Sequence, residues 1–398
     1  MLKLLAKLIY LKHKPKIIIV AGTSGKTLTL SIINHIIKDH FTVFQTSYHK
    51  NHLLGAILTF LLSDEEGFLN NFFKGLKLLI SKFYPEYLLI EFGPERPKVI
   101  KRYFSWLKIK ILVITSFGKI PAFVEYFAGP EKLLDEYKDL ISLLKTDGVC
   151  IINSDDMTLV ELKNKIFQQV LTFSLKDGDV YAENEEFVCN FNNYPVICGT
   201  KFNLVFGKKT YPVFMKYLFG KGIIYSSLAA FLVAKLLNIK EEEIINDIES
   251  FSGIEGRGII KRLSNGILVL DNSQHVSLAS VQYSLEIIKK INRRKILVLG
   301  DILHLGELSY EAHSLIGEKA NFVDIFIAYG PRAIIAAESA IKNGLEESRA
   351  VKLLHLDYER LLEFLRENLK PEDAVLINGD PELKLNKLID DLENIFQR

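Results

Sequence analysis

Lys26 and Thr27, set directly behind Gly22-Thr23-Ser24-Gly25, have the types and spacing that a bound polyphosphate requires. The glycines let backbone N–H groups close around phosphate oxygens. Lys26 reaches the β- and γ-phosphates, and the Thr27 hydroxyl holds Mg²⁺. The device occupies residues 17–29, so Thr29 is counted with it. A carboxylate is supplied from elsewhere. Glu91 ends the apolar run 84–91, at the strand edge where doubly wound sheets bind their ligands.

The elements that must position these groups are legible on both sides. Ile17-Ile18-Ile19-Val20 reads as a buried parallel strand, and Leu30, Ile33, Ile36 and Ile37 follow with helical spacing. Strand, glycine-rich turn and helix is the layout of a phosphate loop, whose helix N-terminus adds partial positive charge. The strict spacing G-x-x-x-x-G-K-[ST] is not met, because Val20 stands at its first glycine. The plain alternative is a tight turn that happens to contain Gly-Lys-Thr; the flanking strand and helix argue against it.

Further strands are expected at 41–44, 84–91, 109–115 and 149–153, with a helix at 130–144. Strands alternating with helices predict a parallel sheet. From about 170 to 215 short alternating runs, separated by Gly and Asn, predict a small antiparallel appendage. Helices follow at 226–237 and 241–250. The stretch 251–258 holds three glycines and no periodicity, which marks a domain boundary. Beyond it, strands at 267–270, 295–299, 325–328 and 374–377 and helices at 280–291 and 358–368 restart the rhythm. The expected fold class is therefore α/β: a P-loop domain over 1–252 with its appendage, then a Rossmann-like domain over 253–398.

Composition bounds the partners. The chain has 398 residues, enough for two or three domains, and a formal net charge of +2, too little for general attraction to nucleic acid. Cys150, Cys189 and Cys198 show no metal-ligand spacing and read as reduced thiols of a cytoplasmic protein. Cys189 and Cys198 could face each other across a hairpin, but no bridge is expected. Residues 1–14 are too short to span a membrane and lack a cleavage site. On a helix, Lys3, Lys7, Tyr10 and Lys14 share one face and the leucines the other. Such a helix either lies on a membrane surface or packs against its own domain, and the second is the commoner use of an apolar stripe.

The short loop form G-T-x-G-K-T resembles that of the Mur ligases, and other stretches agree. Glu91-Phe92-Gly93 with Arg96-Pro97 resembles that family's E-M-G…R-P. Asp147-Gly148 through Asp155-Asp156 resembles D-G-x-x-x-L-N-x-D-D. Gly256-Arg257 matches the Gly-Arg that opens the family's C-terminal domain. Leu299-Gly300-Asp301-Ile302-Leu303-His304-Leu305-Gly306, with Ser309 and His313, resembles L-G-D-M-L-E-L-G…S…H. The resemblance runs from about residue 15 to the C-terminus, and the member that adds a dipeptide to the wall precursor fits best. It implies a cytoplasmic ligase that uses ATP and Mg²⁺ to phosphorylate a carboxylate, whose acyl phosphate an amine then attacks. It further implies Thr27 and Glu91 as Mg²⁺ ligands, Arg257 as a phosphate contact, and Asn272 and His275 at the nucleotide base. Substrates would be a small-molecule or peptide carboxylate and an amine, possible intermediates of wall synthesis. With about twenty residues before the loop, the family's N-terminal UDP-binding domain is expected to be lacking.

Departures from the pattern cluster at the site. Alignment of Ile120–Phe127 with V-P-V-H-V-E-F-F puts Phe123 at the histidine that supports a second Mg²⁺. Tyr137 stands at the carbamylated lysine, with Lys138 adjacent. Neither ring is a good ligand for a hard cation. His275 replaces an asparagine that reads adenine, Asn51-His52-Leu53-Leu54-Gly55 lacks a carboxylate, and Asn378-Gly379-Asp380 replaces K-G-S. Three functions follow: an ATP-dependent amide-forming ligase; a catalytically degenerate nucleotide-binding protein with a regulatory role; or a P-loop ATPase coupled to another motion.

Overall fold

Short apolar runs bounded by turn residues form the strands, and amphipathic stretches cover them. The computed structural model describes residues 1–45, 53–63, 67–93, 96–190, 197–274 and 277–396. It divides into two units. One comprises Met1–Glu183, Asn203–Val213 and Ile224–Phe251; the other comprises Asn184–Phe202, Phe214–Ile223 and Ser252–Arg398.

The first unit begins with α1 (Leu2–His13), β1 (Lys16–Ala21), α2 (Lys26–Ile37), β2 (Val43–Gln45), α3 (Leu53–Phe60) and α4 (Phe68–Ile80). Next come β3 (Tyr87–Phe92), β4 (Ile109–Ile114), α5 (Pro130–Ile141), β5 (Leu144–Asn153), α6 (Met157–Lys163) and β6 (Gln169–Ser174). Strands β7 (Val180–Asn190), β8 (Ile197–Phe206) and β9 (Lys209–Lys216), whose residues are divided between the two units, precede α7 (Lys221–Leu236) and α8 (Glu241–Ser250). Among the described residues the sheet order is β2-β3-β1-β4-β5-β6-β7-β8-β9. Pairings from β2 through β7 are parallel. β1 lies beside β4, and their connections leave in opposite directions, β1 toward β2 and β4 toward β5. That is the switch point at which open α/β sheets bind ligands. Register sets Val20 beside both Glu91 and Val113, which brings the ends of three strands to one place.

The sequence places the start of the antiparallel appendage near residue 170. In the structure β6 pairs with β5 in parallel over Gln169–Phe173, so the parallel sheet continues through it. The reversal comes later. β8 and β9 are joined by Gly207-Lys208 alone, a link that only antiparallel strands allow. Helix α4 has no counterpart in the sequence reading, although FLNNFFKGLKLLI is strongly amphipathic at the helical period. Helix α1 packs on its own unit, burying Leu5, Ala6, Ile9 and Tyr10. Tyr10 does not share the solvent face with the lysines. It lies edge-on to Phe60 and 5.4 Å from Trp106.

The second unit restarts with β10 (Ile259–Arg262), β11 (Leu268–Asn272), α9 (Leu278–Lys290), β12 (Lys295–Gly300), α10 (Ser309–Lys319) and β13 (Ile325–Tyr329). It ends with α11 (Pro331–Lys342), β14 (Ala350–Leu353), α12 (Tyr358–Asn368), β15 (Ala374–Asn378) and α13 (Lys387–Phe396). The order is β10-β11-β15-β12-β13-β14, parallel except for the β10 edge. Two apolar turns of α12 and α13 cover one face of it, with Leu361, Leu365, Leu388 and Leu392 buried.

The cysteines correct the sequence reading. Cys189 and Cys198, on β7 and β8, are joined as a disulfide with their Cα atoms 4.0 Å apart. The hairpin sets them opposite each other, which spacing alone did not decide. Cys150 is a buried free thiol in β5, its pKa pushed up to about 12 by desolvation.

Candidate functional site

Helix α2 begins at Lys26, and a helix leaves its first amides without intrahelical partners. Gly25, with φ 80°, turns the chain into it. Gly22 has φ 146°, and a Cβ there would fall 2.0 Å from Thr115 Oγ1. The turn must therefore pass close against the end of β4. Thr115 Oγ1 donates to the Ser24 carbonyl at 2.5 Å, the Thr23 amide donates to the Ser116 carbonyl at 2.9 Å, and Thr23 Oγ1 donates to the Phe117 carbonyl at 2.8 Å.

The supporting segment is itself held. Asp156 Oδ2 accepts from the amides of Phe117 at 2.6 Å and Gly118 at 2.8 Å, while its Oδ1 caps α6 through the Thr158 amide at 3.1 Å. Asp155 Oδ2 accepts from the Leu175 amide at 2.7 Å and the Tyr225 hydroxyl at 2.9 Å. The Asp-Asp pair thus fastens the loop after β4 and the start of α7 to the end of β5.

Lys26, Thr27 and Glu91 are all buried. Thr27 Oγ1 donates to Glu91 Oε1 at 3.0 Å. A hydroxyl and a carboxylate in contact at a helix N-terminus supply two hard oxygen donors, a set that suits Mg²⁺ completed by phosphate and water. Among the described residues no group of three His, Cys, Asp or Glu side chains could hold a metal by itself. Thr29, predicted with the loop, instead faces α7 and donates to Ser226 Oγ at 2.9 Å.

Phe123 lies beside the loop, its ring centroid 5.9 Å from Lys26 Nζ. It adopts φ 64° at the head of a short turn, Val124–Tyr126. Tyr137 lies in the core, edge-on to Phe117, with its hydroxyl unpartnered and its pKa raised by burial. Lys138 turns to the surface and pairs with Asp135 at 2.7 Å. These two positions therefore offer an aromatic face and a buried phenol.

In the second unit, Asp271 is wholly buried and accepts from the Gly256 amide at 3.1 Å and the Ser273 amide at 3.1 Å. Its pKa is raised by burial. The Gln274 amide returns to the Gly256 carbonyl at 2.9 Å. This lacing holds the turn that carries Arg257, half-buried, against the turn that follows Asn272. Asn272 Nδ2 donates to Asn378 Oδ1 at 2.9 Å. Asp301 is engaged in capping α11, accepting from the Arg332 and Ala333 amides. His275, together with His49, Asn51 and His52, lies outside the described residues.

The structure brings Lys26, Thr27 and Glu91 together in one unit, and Arg257 with Asn272 in the other. Sequence reasoning missed Thr115, Ser116 and Ser226. The signal for the first two was available: they follow an apolar strand at the same sheet edge as Glu91.

Comparison with known proteins agrees with this geometry. The Mur ligase middle domain family matches residues 20–234. The UDP-N-acetylmuramoyl-tripeptide–D-alanyl-D-alanine ligase of Bacillus subtilis is 22% identical, over 98% of this chain and 79% of its own length. The UDP-N-acetylmuramate–L-alanine ligase of Clostridium perfringens is 24% identical, over 90% and 72%. Among solved structures, the MurF ligase from Thermotoga maritima in complex with ADP superposes with TM-score 0.80 at 20% identity, over 100% of this chain and 83% of that one. A pseudomurein peptide ligase type C from Methanothermus fervidus gives TM-score 0.67 at 16% identity, over 95% and 79%.

Proposed function

This chain belongs to the Mur ligase family, and we propose that it works as an ATP-dependent carboxylate–amine ligase in the synthesis of peptidoglycan precursors. The observation that carries the reading is the Thr27–Glu91 contact at the mouth of an intact phosphate turn. Lys26 and the α2 N-terminus would orient the β- and γ-phosphates of ATP. A Mg²⁺ held by Thr27 and Glu91 would neutralise charge on the transferring phosphoryl group. A substrate carboxylate oxygen would take that group, releasing ADP. An amine would then displace phosphate from the acyl phosphate, leaving an amide.

We assign residues 1–252 to the ATP-binding domain and 253–398 to the C-terminal domain, with Arg257 as a phosphate contact and Asn272 and His275 toward the base. The glycine-rich stretch 252–258 supports that division, as does the lacing of Arg257 to the Asn272 turn. Dependence on ATP argues for a cytoplasmic workplace. The test follows phosphate release from ATP and Mg²⁺ with candidate carboxylate and amine pairs. Turnover that requires both acceptors supports a ligase. Retained ADP binding with no acceptor-dependent turnover across the wall-precursor acids and amines overturns it.

A further inference from the structure

Helices α1 and α4 pack side by side. A Cβ on Gly75 of α4 would fall 2.1 Å from Leu5 Cδ2 of α1, so that glycine admits the close approach. Lys12 Nζ donates to the carbonyls of Leu79 and Ser81 at 2.6 Å, tying the two C-terminal ends together. At about 100° per residue, Leu4, Leu8 and Leu11 form a stripe on α1 beside the positions that face α4. Leu69, Phe73, Leu76 and Ile80 form the corresponding stripe on α4. None of these side chains is in the core. Phe73 is 64% exposed, Ile80 81%, and Phe83 just beyond the helix 88%. A helix pair with nothing further to cover would carry polar residues there.

Charge says what covers it. Residues 1–14 and 67–84 contain seven lysines and no Asp or Glu, in a chain whose formal net charge is only +2. The flanking acids, Asp64, Glu65 and Glu66 before the α4 stripe and Glu86 after it, lie outside it in sequence. Lys7 and Lys14 flank the α1 stripe, and Lys77 and Lys82 flank that of α4. A second copy docked face to face would oppose two such lysine sets. An anionic bilayer would meet both features at once, with leucines and phenylalanines in the acyl boundary and ammonium groups among the lipid phosphates. Among the described residues no helix is long and apolar enough to cross a membrane, so contact is with the surface.

We propose that the α1–α4 face docks this protein on membranes rich in anionic lipid. The inference stands apart from the ligase reading, because none of its residues touches the phosphate turn. The test is flotation of the full chain with vesicles of equimolar phosphatidylglycerol and phosphatidylcholine, against vesicles of phosphatidylcholine alone. Binding to the anionic vesicles is expected to be tenfold or more the stronger, each lysine at the surface contributing about fivefold. It should weaken when salt is raised to about 0.5 M. Leu8→Glu with Phe73→Glu should abolish it, and Lys7→Glu with Lys77→Glu should reduce it by at least tenfold, with ADP binding retained in both. A wild-type chain that stays with neither vesicle overturns the proposal. So does a chain that dimerises in solution through this face, becoming monomeric in the Leu8→Glu, Phe73→Glu variant, since the occupant is then a second copy.

Discussion

Thr27 Oγ1 donates a 3.0 Å hydrogen bond to Glu91 Oε1, joining residues 64 positions apart in sequence. The first turn of α2 and the end of β3 thereby form one oxygen-rich corner. β1 sets the distance, since Val20 is in register with Glu91 and the phosphate turn leaves two residues later. Both side chains are buried, so the corner is held before any nucleotide arrives.

Replacing Thr27 by Val keeps the shape and removes the hydroxyl. Replacing Glu91 by Gln keeps the shape and removes the charge. If the pair holds Mg²⁺, each change should lower acceptor-dependent phosphate release by about 100-fold, the scale of losing one electrostatic group at a reacting centre. Stability should fall by only about 1 kcal/mol, the worth of one hydrogen bond. Lys26→Ala should instead weaken nucleotide binding itself, read by titration with a fluorescent ADP analogue. Full turnover in Glu91→Gln at ordinary Mg²⁺ would remove this corner from the mechanism.

Tyr137 tests whether a position aligned with a family ligand still does chemistry. Its side chain is 1% exposed, its hydroxyl has no hydrogen-bond partner, and burial raises its pKa. A buried hydroxyl without a partner costs free energy that Phe does not incur. Tyr137→Phe should therefore leave activity unchanged and raise stability by up to about 1 kcal/mol. Tyr137→Lys should destabilise by about 3 kcal/mol or more, because an ammonium would sit against Phe117 in an apolar core. Urea midpoints and turnover, measured together, decide the matter. A tenfold loss of activity in a stable Tyr137→Phe protein would give the phenol a chemical role.

The phosphate turn was legible in sequence because its chemistry is local. A strand, two glycines, Lys26 and a helix fall within one short stretch, and Glu91 announced itself by ending an apolar strand. Thr115 and Ser116 could have been picked out as ending an apolar strand, but their contact with the turn could not, because it depends on β4 lying beside β1. Asp156 was visible as a motif, but its work, holding Phe117 and Gly118, needs three-dimensional placement. Thr29 was read with the loop because it is near in sequence; helical rotation turns it toward Ser226 instead. Helix α4 was legible from its helical period but was passed over; what its period could not show is that the face it buries is narrower than its apolar arc. That difference leaves Phe73 and Ile80 in water. The Cys189–Cys198 bridge turned on hairpin register, which composition does not encode.

His313 supplies a pH signature for the second unit. It is fully buried, its Nε2 accepts from the Ile302 amide at 3.1 Å, and its Nδ1–H donates to the Ser309 carbonyl at 2.7 Å. That pairing requires the neutral ring, since a protonated Nε2 could not accept. Burial lowers its pKa from the ordinary 6.5. The unfolded chain therefore takes up this proton first as pH falls. Its contribution to stability is whole above about pH 6.5, declines below it by up to about 1.4 kcal/mol per pH unit, and stops declining once the folded-state pKa is passed. His313→Gln should cost about 1–3 kcal/mol at pH 8 and flatten the difference between pH 8 and pH 5.5. Urea unfolding of both proteins at the two pH values isolates the effect from the other eight of the chain's nine histidines. An unchanged slope in the variant would mean that His313 does not set the acid sensitivity of this unit.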